Sequence, residues 1–467
     1  MDIKRGDTAE VDIEKVVYGG RGLAHVNGMT LFVAGAVPGD RVIAQMVKVK
    51  RKYAEARIEE LIEASPHRII PPCPYSDYCG GCTWQGITYE KQLIYKQAFV
   101  ADSLGHIADI TGFRIDEVVP SPRIFGYRNK MEFSFSDKIW PVPHGDRESS
   151  GDRGVALGLH VPGTFDRIID IDGCLLQEEK GNEILREVKA YVRQSGMPVY
   201  GLKSHQGFWR YLVLRHSHCF DEWMVNVVTS EERRRFIQGL ASLLRARFRK
   251  IVSIVNTINT RRGGTAVGEW ESTLMGDGFL REKIGPYIFQ VSTHSFFQTN
   301  QHLSGRLYEA VKEFASLTGK ETVVDLYCGI GTVSAFLASR AARIVGLDIS
   351  ESAIADAKRN CELNGIDNCE FLCGDVKLLL SHMVSQPDVL ITDPPRTGMH
   401  KKVIEQIVHL LPQRIIYISC NPTTMARDIA LLKEHYELKA VQPIDLFPNT
   451  FHIEAVARLE KRRELKY

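Results

Sequence analysis

The spacing of apolar positions along the chain changes twice. Through residues 1–64 they alternate with polar ones, in A-E-V-D-I-E-K-V-V, Y-G-G-R-G-L-A-H-V-N-G-M-T-L-F-V and G-D-R-V-I-A-Q-M-V-K-V. Period-two alternation broken by glycine turns predicts short strands with one buried face, closing into a small OB-like β-barrel. Residues 65–285 mix strand-like runs such as R-Y-L-V-L-R-H and M-V-N-V-V-T with helical periodicity at 181–196 and 231–248, an α+β pattern. A polar, glycine-bearing stretch at 141–154 predicts a surface loop. Over residues 286–467 the runs T-V-V-D-L-Y, R-I-V-G-L-D, D-V-L-I-T-D and R-I-I-Y-I-S are separated by amphipathic segments. Strands alternating with helices predict a parallel, doubly wound α/β sheet.

Composition narrows the class. With 467 residues the chain has room for about two to four domains. A hydrophobic content of 44% and a charged content of 25% are those of a globular protein. The formal charge of +2 means that any nucleic-acid surface must be local. Lys48, Lys50, Arg51 and Lys52 are one candidate, as a phosphate-contacting stripe or as a solvated strand edge. No apolar run is long enough to span a bilayer, and M-D-I-K-R-G-D-T-A-E lacks the apolar core of a signal peptide, so no membrane partner and a cytoplasmic location are expected. Ten cysteines are too few for a disulfide scaffold in so long a chain; clustered ones point to metal or catalysis.

The strand tips carry the candidate chemistry. Asp325-Leu-Tyr-Cys-Gly-Ile-Gly-Thr332 ends the first run of the sheet in an acid and a glycine turn. Asp348 ends the second, about 20 residues past that turn, where a carboxylate accepts from ribose hydroxyls. Asp375 follows in Cys-Gly-Asp, placed for an adenine amine. The turn lacks the full G-x-G-x-x-G of dinucleotide sites, and a carboxylate beside it disfavours a diphosphate but suits a cationic ligand. S-adenosylmethionine is therefore the expected cofactor. The fourth run ends in Thr-Asp393-Pro-Pro-Arg396 and the fifth in Ser-Cys420-Asn-Pro, so both tips face one crevice. Phe-His-Ile-Glu454 adds an acid in an apolar setting, where desolvation makes a stronger base. Asp-Pro-Pro alone also suits amino-group methylation, but a thiolate with a base suits C5 of uracil: addition at C6 makes C5 nucleophilic, and a base then removes the C5 proton.

Cys73, Cys79 and Cys82 form C-x5-C-x2-C, and Cys174 is the candidate fourth ligand. Four thiolates suit zinc or a [4Fe–4S] cluster equally well. Cys328, Cys361, Cys369 and Cys373 read as packing residues, and Cys219 has no assigned role. Phe125-Gly-Tyr-Arg-Asn-Lys-Met-Glu-Phe133 interleaves cations with aromatics, either as an RNA contact or as an amphipathic strand; Arg396 is a further candidate phosphate contact.

Taken together, S-F-F-Q-T-N at 295–300, D-L-Y-C-G-I-G-T, T-D-P-P-R-T-G, Y-I-S-C-N-P-T-T and F-H-I-E-A-V resemble the RNA 5-methyluridine methyltransferases, particularly those with an N-terminal TRAM domain and an iron-sulfur cluster that modify 23S rRNA. The resemblance spans essentially the whole chain. It implies a Rossmann-like S-adenosylmethionine-dependent domain at 286–467, a TRAM barrel at 1–64 and a central iron-sulfur and RNA-binding domain at 65–285. It makes Cys420 the nucleophile, Glu454 the base and Asp393 an active-site acid beside cofactor and uracil. Gln298, Tyr327, Thr332, Asp348 and Asp375 match cofactor-contacting positions. It selects [4Fe–4S] over zinc for Cys73, Cys79, Cys82 and Cys174. Two positions depart from the family pattern: Asp348 stands where glutamate is common, and Ala455 where threonine is frequent. The expected partner is RNA, 23S rRNA first and the tRNA T-loop second, bound by a monomer. The rival is a non-catalytic iron-sulfur RNA-binding protein, which would have no use for Cys420 and Glu454.

Overall fold

The computed structural model describes residues 3–140, 153–383 and 386–462, so the loop expected at 141–154 lies outside the described residues except for its last two. In the N-terminal region the alternating pattern becomes a sheet of six strands, from Thr8–Asp12 to Tyr53–Glu63. Its inward positions, among them Val11, Leu31, Val33, Val42 and Met46, form a core of their own. Lys48 points outward and pairs with Glu55 at 2.8 Å, while Lys50, Arg51 and Lys52 form the exposed turn that follows.

The middle of the chain builds a second sheet in the spatial order Ile168–Asp170, Arg153–His160, Lys130–Lys138, Trp209–Ser217, Glu222–Thr229, Ile251–Ile258 and Trp270–Met275. The two predicted helices are Glu179–Ser195 and Arg234–Arg247. Each turns one apolar stripe inward, Ile184, Val188 and Val192 on the first and Ile237, Leu240 and Leu244 on the second, at the three-to-four-residue spacing of a helix face. Of the three aromatics in the 125–133 stretch, only Phe125 is half-buried and the other two are not open for stacking. Tyr127 and Phe133 are buried in this core, and the Tyr127 hydroxyl donates to the Pro448 carbonyl at 3.2 Å. A strand whose flanks are both covered gives no sequence signal for which aromatic reaches solvent.

Five parallel strands form the C-terminal sheet: Thr322–Leu326, Arg343–Asp348, Cys369–Cys373, Val389–Thr392 and Arg414–Ser419. They lie in the order third, second, first, fourth, fifth. The order reverses between the first and fourth, which opens a crevice at their carboxyl ends. Both faces are covered, so the strands read as continuous apolar runs: Ile416 and Ile418 enter one core while Ile415 and Tyr417 enter the other. Beyond the fifth strand lie Glu454–Lys461 and Tyr436–Ile444, both in antiparallel pairing, and then Arg114–Ile115 at the edge. The helix Tyr89–His106 joins this unit as well, placing Val100 and Leu104 in its core and Lys96 on Asp445 at 2.6 Å.

Candidate functional site

The crevice starts from the first parallel strand. Asp325 is 1% exposed, and its Oδ2 accepts from the Ser334 hydroxyl at 2.7 Å, which ties the strand to the helix Thr332–Ala338. Burial pushes its carboxyl up to about 7. Tyr327, Gly329 and Gly331 then take positive φ values of 61°, 54° and 78°. A Cβ on Gly329 would meet nothing within 4 Å, so the turn leaves open space against bare backbone. On Gly331 it would come within 3.1 Å of Ala357 and Phe371, so that glycine serves packing.

The acids beyond this turn are held by backbone donors. Asp348 accepts from the Gly329 amide at 3.0 Å through one oxygen and from the Ser350 amide at 2.8 Å through the other. Carboxylate oxygens have lone pairs to spare for hydroxyl donors, and the shorter aspartate is placed here by the turn itself. Asp375 caps the helix Val376–Ser381 by accepting from the Lys377 amide at 2.9 Å. That bond and the Lys377 ammonium hold its carboxyl below the usual range. Thr332 starts its helix beside the buried Tyr308 phenol. Gln298 is buried in a pinned segment: Asn129 donates to its carbonyl at 2.9 Å, and Ser292 and Ser295 both donate to Asp356. Open space over a glycine turn, flanked by anchored acids at successive strand ends, fits an adenosyl group with a cationic tail.

At the other side of the crevice, the fifth strand ends at Ser419 and Cys420 is half-buried just past it. Asn421 caps the next helix by accepting from the Thr423 amide at 3.1 Å, and Pro422 occupies the first helical turn. The Asn421 side chain also donates to the Arg396 carbonyl at 3.0 Å, and Thr424 donates to the same oxygen at 3.2 Å. These bonds tie the Asp-Pro-Pro-Arg turn to the cysteine turn. Glu454, 2% exposed, begins the antiparallel strand next to the fifth. Burial, aided by the Asp393 charge and opposed by Arg396, raises its carboxyl well above the usual range. Burial likewise pushes Asp393 up to about 7, with Asp325 adding to the shift. The Cys420 thiol is pushed up to about 11 by burial and by Glu454, while Arg396 pulls it down by charge and by a hydrogen bond. Asp393, Cys420 and Glu454 thus lie close enough to influence one another's charge, with Arg396 favouring the charged forms of Cys420 and Glu454.

Two residues in this group carried no sequence signal. Tyr18, on the turn after Lys15–Val17 of the N-terminal sheet, donates its hydroxyl to the Cys420 carbonyl at 3.3 Å. Tyr308 comes from the helix Gln301–Ala315.

The four candidate ligand cysteines converge elsewhere. Cys73, Cys79, Cys82 and Cys174 line one cavity of about 360 Å³, walled also by Arg128, His160 and Leu176. Burial pushes Cys82 up to about 11 and Cys174 to about 12, and raises Cys79. Among the described residues, no three His, Cys, Asp or Glu side chains form a group that could hold a single metal ion. Of the cysteines expected to pack, Cys328 and Cys361 are buried and Cys369 is half-buried, but Cys373 is exposed at the end of the third strand.

Comparison with known proteins places these features in a family. Residues 3–58 match the TRAM domain and residues 317–462 a methyltransferase domain. An uncharacterised RNA methyltransferase of Chlorobaculum tepidum is 39% identical, over 93% of this chain and 92% of its own. Another from Halalkalibacterium halodurans is 38% identical over 98% of each chain. The solved structure of Pyrococcus abyssi tRNA (uracil-54, C5)-methyltransferase, in complex with S-adenosyl-L-homocysteine, superposes with a TM-score of 0.75 at 30% identity, covering 96% of this chain and 99% of that one. Among the described residues, no helix is long and apolar enough to cross a membrane. With TRAM and methyltransferase domains in one chain and relatives of this identity along its whole length, the protein belongs to the TRAM-containing RNA methyltransferases.

Proposed function

We propose that the protein methylates C5 of a uridine in structured RNA through a covalent bond between Cys420 and C6. The carrying observation is the placement of Cys420 and Glu454 on adjoining strand ends, where the Arg396 charge favours the thiolate. The Cys420 thiolate adds to C6, and the C5–C6 π electrons move to make C5 nucleophilic. S-adenosylmethionine supplies the electrophilic methyl group when bound. Glu454 then takes the C5 proton, the electron pair restores the double bond, and the C6–S bond breaks to return the thiolate. Asp393, beside Glu454, sets the charge that the base feels. Gln298, Tyr327, Thr332, Asp348 and Asp375 hold the cofactor over the open glycine turn. The target uridine leaves its stack to reach the thiol.

Resemblance favours 23S rRNA as the substrate, and the likeness to the Pyrococcus enzyme favours tRNA. Both belong in the test. Purified protein is given labelled S-adenosylmethionine with each RNA, and 5-methyluridine is mapped in the product. Cys420→Ala should lose transfer and keep RNA binding; turnover by that variant would sink the covalent mechanism.

The cysteine cavity we assign to a [4Fe–4S] cluster held by Cys73, Cys79, Cys82 and Cys174. Four cysteines lining one cavity, three of them in C-x5-C-x2-C, are the donor set that such a cluster takes. Its role is to brace the region between the central sheet and the segment carrying Cys73. Anaerobic purification should give a brown protein containing iron and sulfide, and a colourless protein with stoichiometric zinc would overturn the assignment.

A further inference from the structure

The N-terminal sheet reaches into the catalytic crevice at one place. Between Lys15–Val17 and Arg21–Val26 the chain turns through Tyr18-Gly19-Gly20, with φ values of 98° and 77° at the two glycines. Gly20 has positive φ, and an added methyl would come within 3.1 Å of Phe451 and 3.2 Å of Trp84, so a side chain there would be strained and crowded. The turn is therefore seated directly on the segment that leads into Glu454. The Tyr18 ring meets Phe451 edge-on at 5.6 Å and Phe99 at 5.9 Å. Val16, Val37, Trp84, Ile87 and Phe99 form a separate apolar cluster around this contact, so the docking is a packed interface. The Trp84 amide donates to the Asn449 carbonyl at 2.9 Å, holding the same segment from the other side.

Held this way, the phenol donates to the Cys420 carbonyl at 3.3 Å. The N–H of that peptide, from Asn421, donates to the Ser419 hydroxyl at 3.1 Å, and Tyr18 holds its carbonyl end. Ladder pairing between the fifth strand and its antiparallel neighbour ends at Ser419 and Ala455, so Cys420 lies one residue past it. Burial and the nearby Cys420 and Glu454 push the phenol up to about 12, so it remains a protonated donor across the neutral range.

We propose that Tyr18 is a positioning residue for methyl transfer: delivered by the TRAM domain, its hydroxyl holds the Cys420 peptide and so fixes the direction of the thiol. The proposal rests on the covalent reading of Cys420 given above. It makes the TRAM domain part of the reaction centre as well as an RNA-binding module, because an RNA that shifts the barrel turn also shifts the nucleophile.

The test compares Tyr18→Phe, which keeps the ring and loses the hydroxyl, with Tyr18→Leu, which loses both. Three measurements are made on the full chain: single-turnover methyl transfer, RNA affinity, and the rate at which iodoacetamide alkylates Cys420, read by peptide mass spectrometry without RNA. Tyr18→Phe should transfer methyl about tenfold more slowly, with RNA affinity and melting temperature unchanged. Its Cys420, no longer tethered, should alkylate severalfold faster. Tyr18→Leu should in addition lose melting temperature. A Tyr18→Phe protein with wild-type transfer and wild-type alkylation overturns the proposal, and so does a loss confined to RNA affinity. If the wild type methylates neither RNA, the uridine reading fails, and the alkylation rates alone then decide whether Tyr18 holds Cys420.

Discussion

Cys420 and Glu454 face each other across a strand boundary, because Ser419 pairs with Ala455 and the two chains run antiparallel there. One chain leaves the sheet where the other enters it. The thiol and the carboxyl therefore reach the same crevice from opposite directions along the backbone. On the proposed mechanism a nucleophile and a base act on neighbouring carbons of one ring, and this register supplies that closeness without a long loop.

Replacing the base should separate the two halves of the reaction. In Glu454→Gln, addition and methyl transfer remain possible while C5 proton removal does not. Steady-state turnover should fall by about 10²–10⁴-fold, and a methylated RNA–protein adduct should survive denaturing electrophoresis. If no adduct appears and turnover is unchanged, another group is the base.

Arg396 should control the thiol. Its charge and hydrogen bond oppose the burial that pushes Cys420 up to about 11. Removing them in Arg396→Gln raises the thiol further, so less thiolate is present at any pH below that value. Alkylation of Cys420 at pH 8 should slow severalfold, and its pH profile should move to higher pH. A profile that stays in place would show that the guanidinium does not act on the sulfur.

Release of methylated RNA from the Cys420 adduct, followed in a single turnover, should rise with pH through the neutral range. Burial pushes Asp393 up to about 7 and raises Glu454 well above its ordinary value, so both are protonated at mildly acidic pH, where the base cannot accept a proton. Asp393→Asn removes the charge that disfavours Glu454 ionisation. The rising limb should therefore move to lower pH in that variant, and a rise unchanged in position would contradict the coupling between the two acids.

The parallel sheet and its acidic strand tips were legible because each motif is continuous with the run that forms its strand. Cys420 follows R-I-I-Y-I-S directly, and Asp348 ends R-I-V-G-L-D. The helix Tyr89–His106 was not legible as part of that sheet's packing. Its buried face includes Gln92, Lys96 and Ser103, which erase the apolar stripe, and the strand Arg114–Ile115 is too short to show a period. Tyr18 was hidden for another reason: an aromatic in a glycine turn shows nothing about which domain it will touch. Cys174 joins Cys73, Cys79 and Cys82 only through the central fold, since it lies more than 90 residues further along the chain.

Acid should weaken the central region before it weakens the catalytic sheet. His216 stacks on Trp223 at 4.2 Å, and His218 lies 4.5 Å from both His216 and His302. Burial lowers all three, His218 to about 3. Asp221 and Glu178 at His216, and Glu178 at His302, favour the charged forms, as the Tyr127 backbone does at His218; His216, His302 and Arg123 oppose it at His218, His302 opposes it at His216, and Arg123 opposes it at His302. Folded values below the unfolded one mean that the unfolded chain binds more protons. Stability is therefore full above about pH 6.5 and is lost as the pH falls from there toward 3. His218→Gln should flatten that loss, measured as the denaturation midpoint between pH 7 and pH 5.

The pair Lys96–Asp445 ties the helix Tyr89–His106 to the strand that precedes the Glu454 segment, at 2.6 Å and with neither side chain exposed. The ammonium also donates to the Phe447 carbonyl at 3.0 Å, and Asp445 accepts from the Phe447 amide at 3.2 Å. Desolvation lowers Lys96, while Asp445 works against that shift. Lys96→Met leaves the carboxyl buried without its counter-ion and should cost about 3–5 kcal/mol. Lys96→Met with Asp445→Leu removes both charges, so the double variant should recover part of that loss, although the Phe447 amide bond is gone. The Asp445–Phe447 turn leads through Asn449 to Glu454, so the single variant should also lower methyl transfer at saturating RNA. Denaturant midpoints and single-turnover rates on the three variants measure both effects. A double variant no more stable than Lys96→Met would mean that the pair's worth lies in its packing and backbone bonds, with no net contribution from its charges.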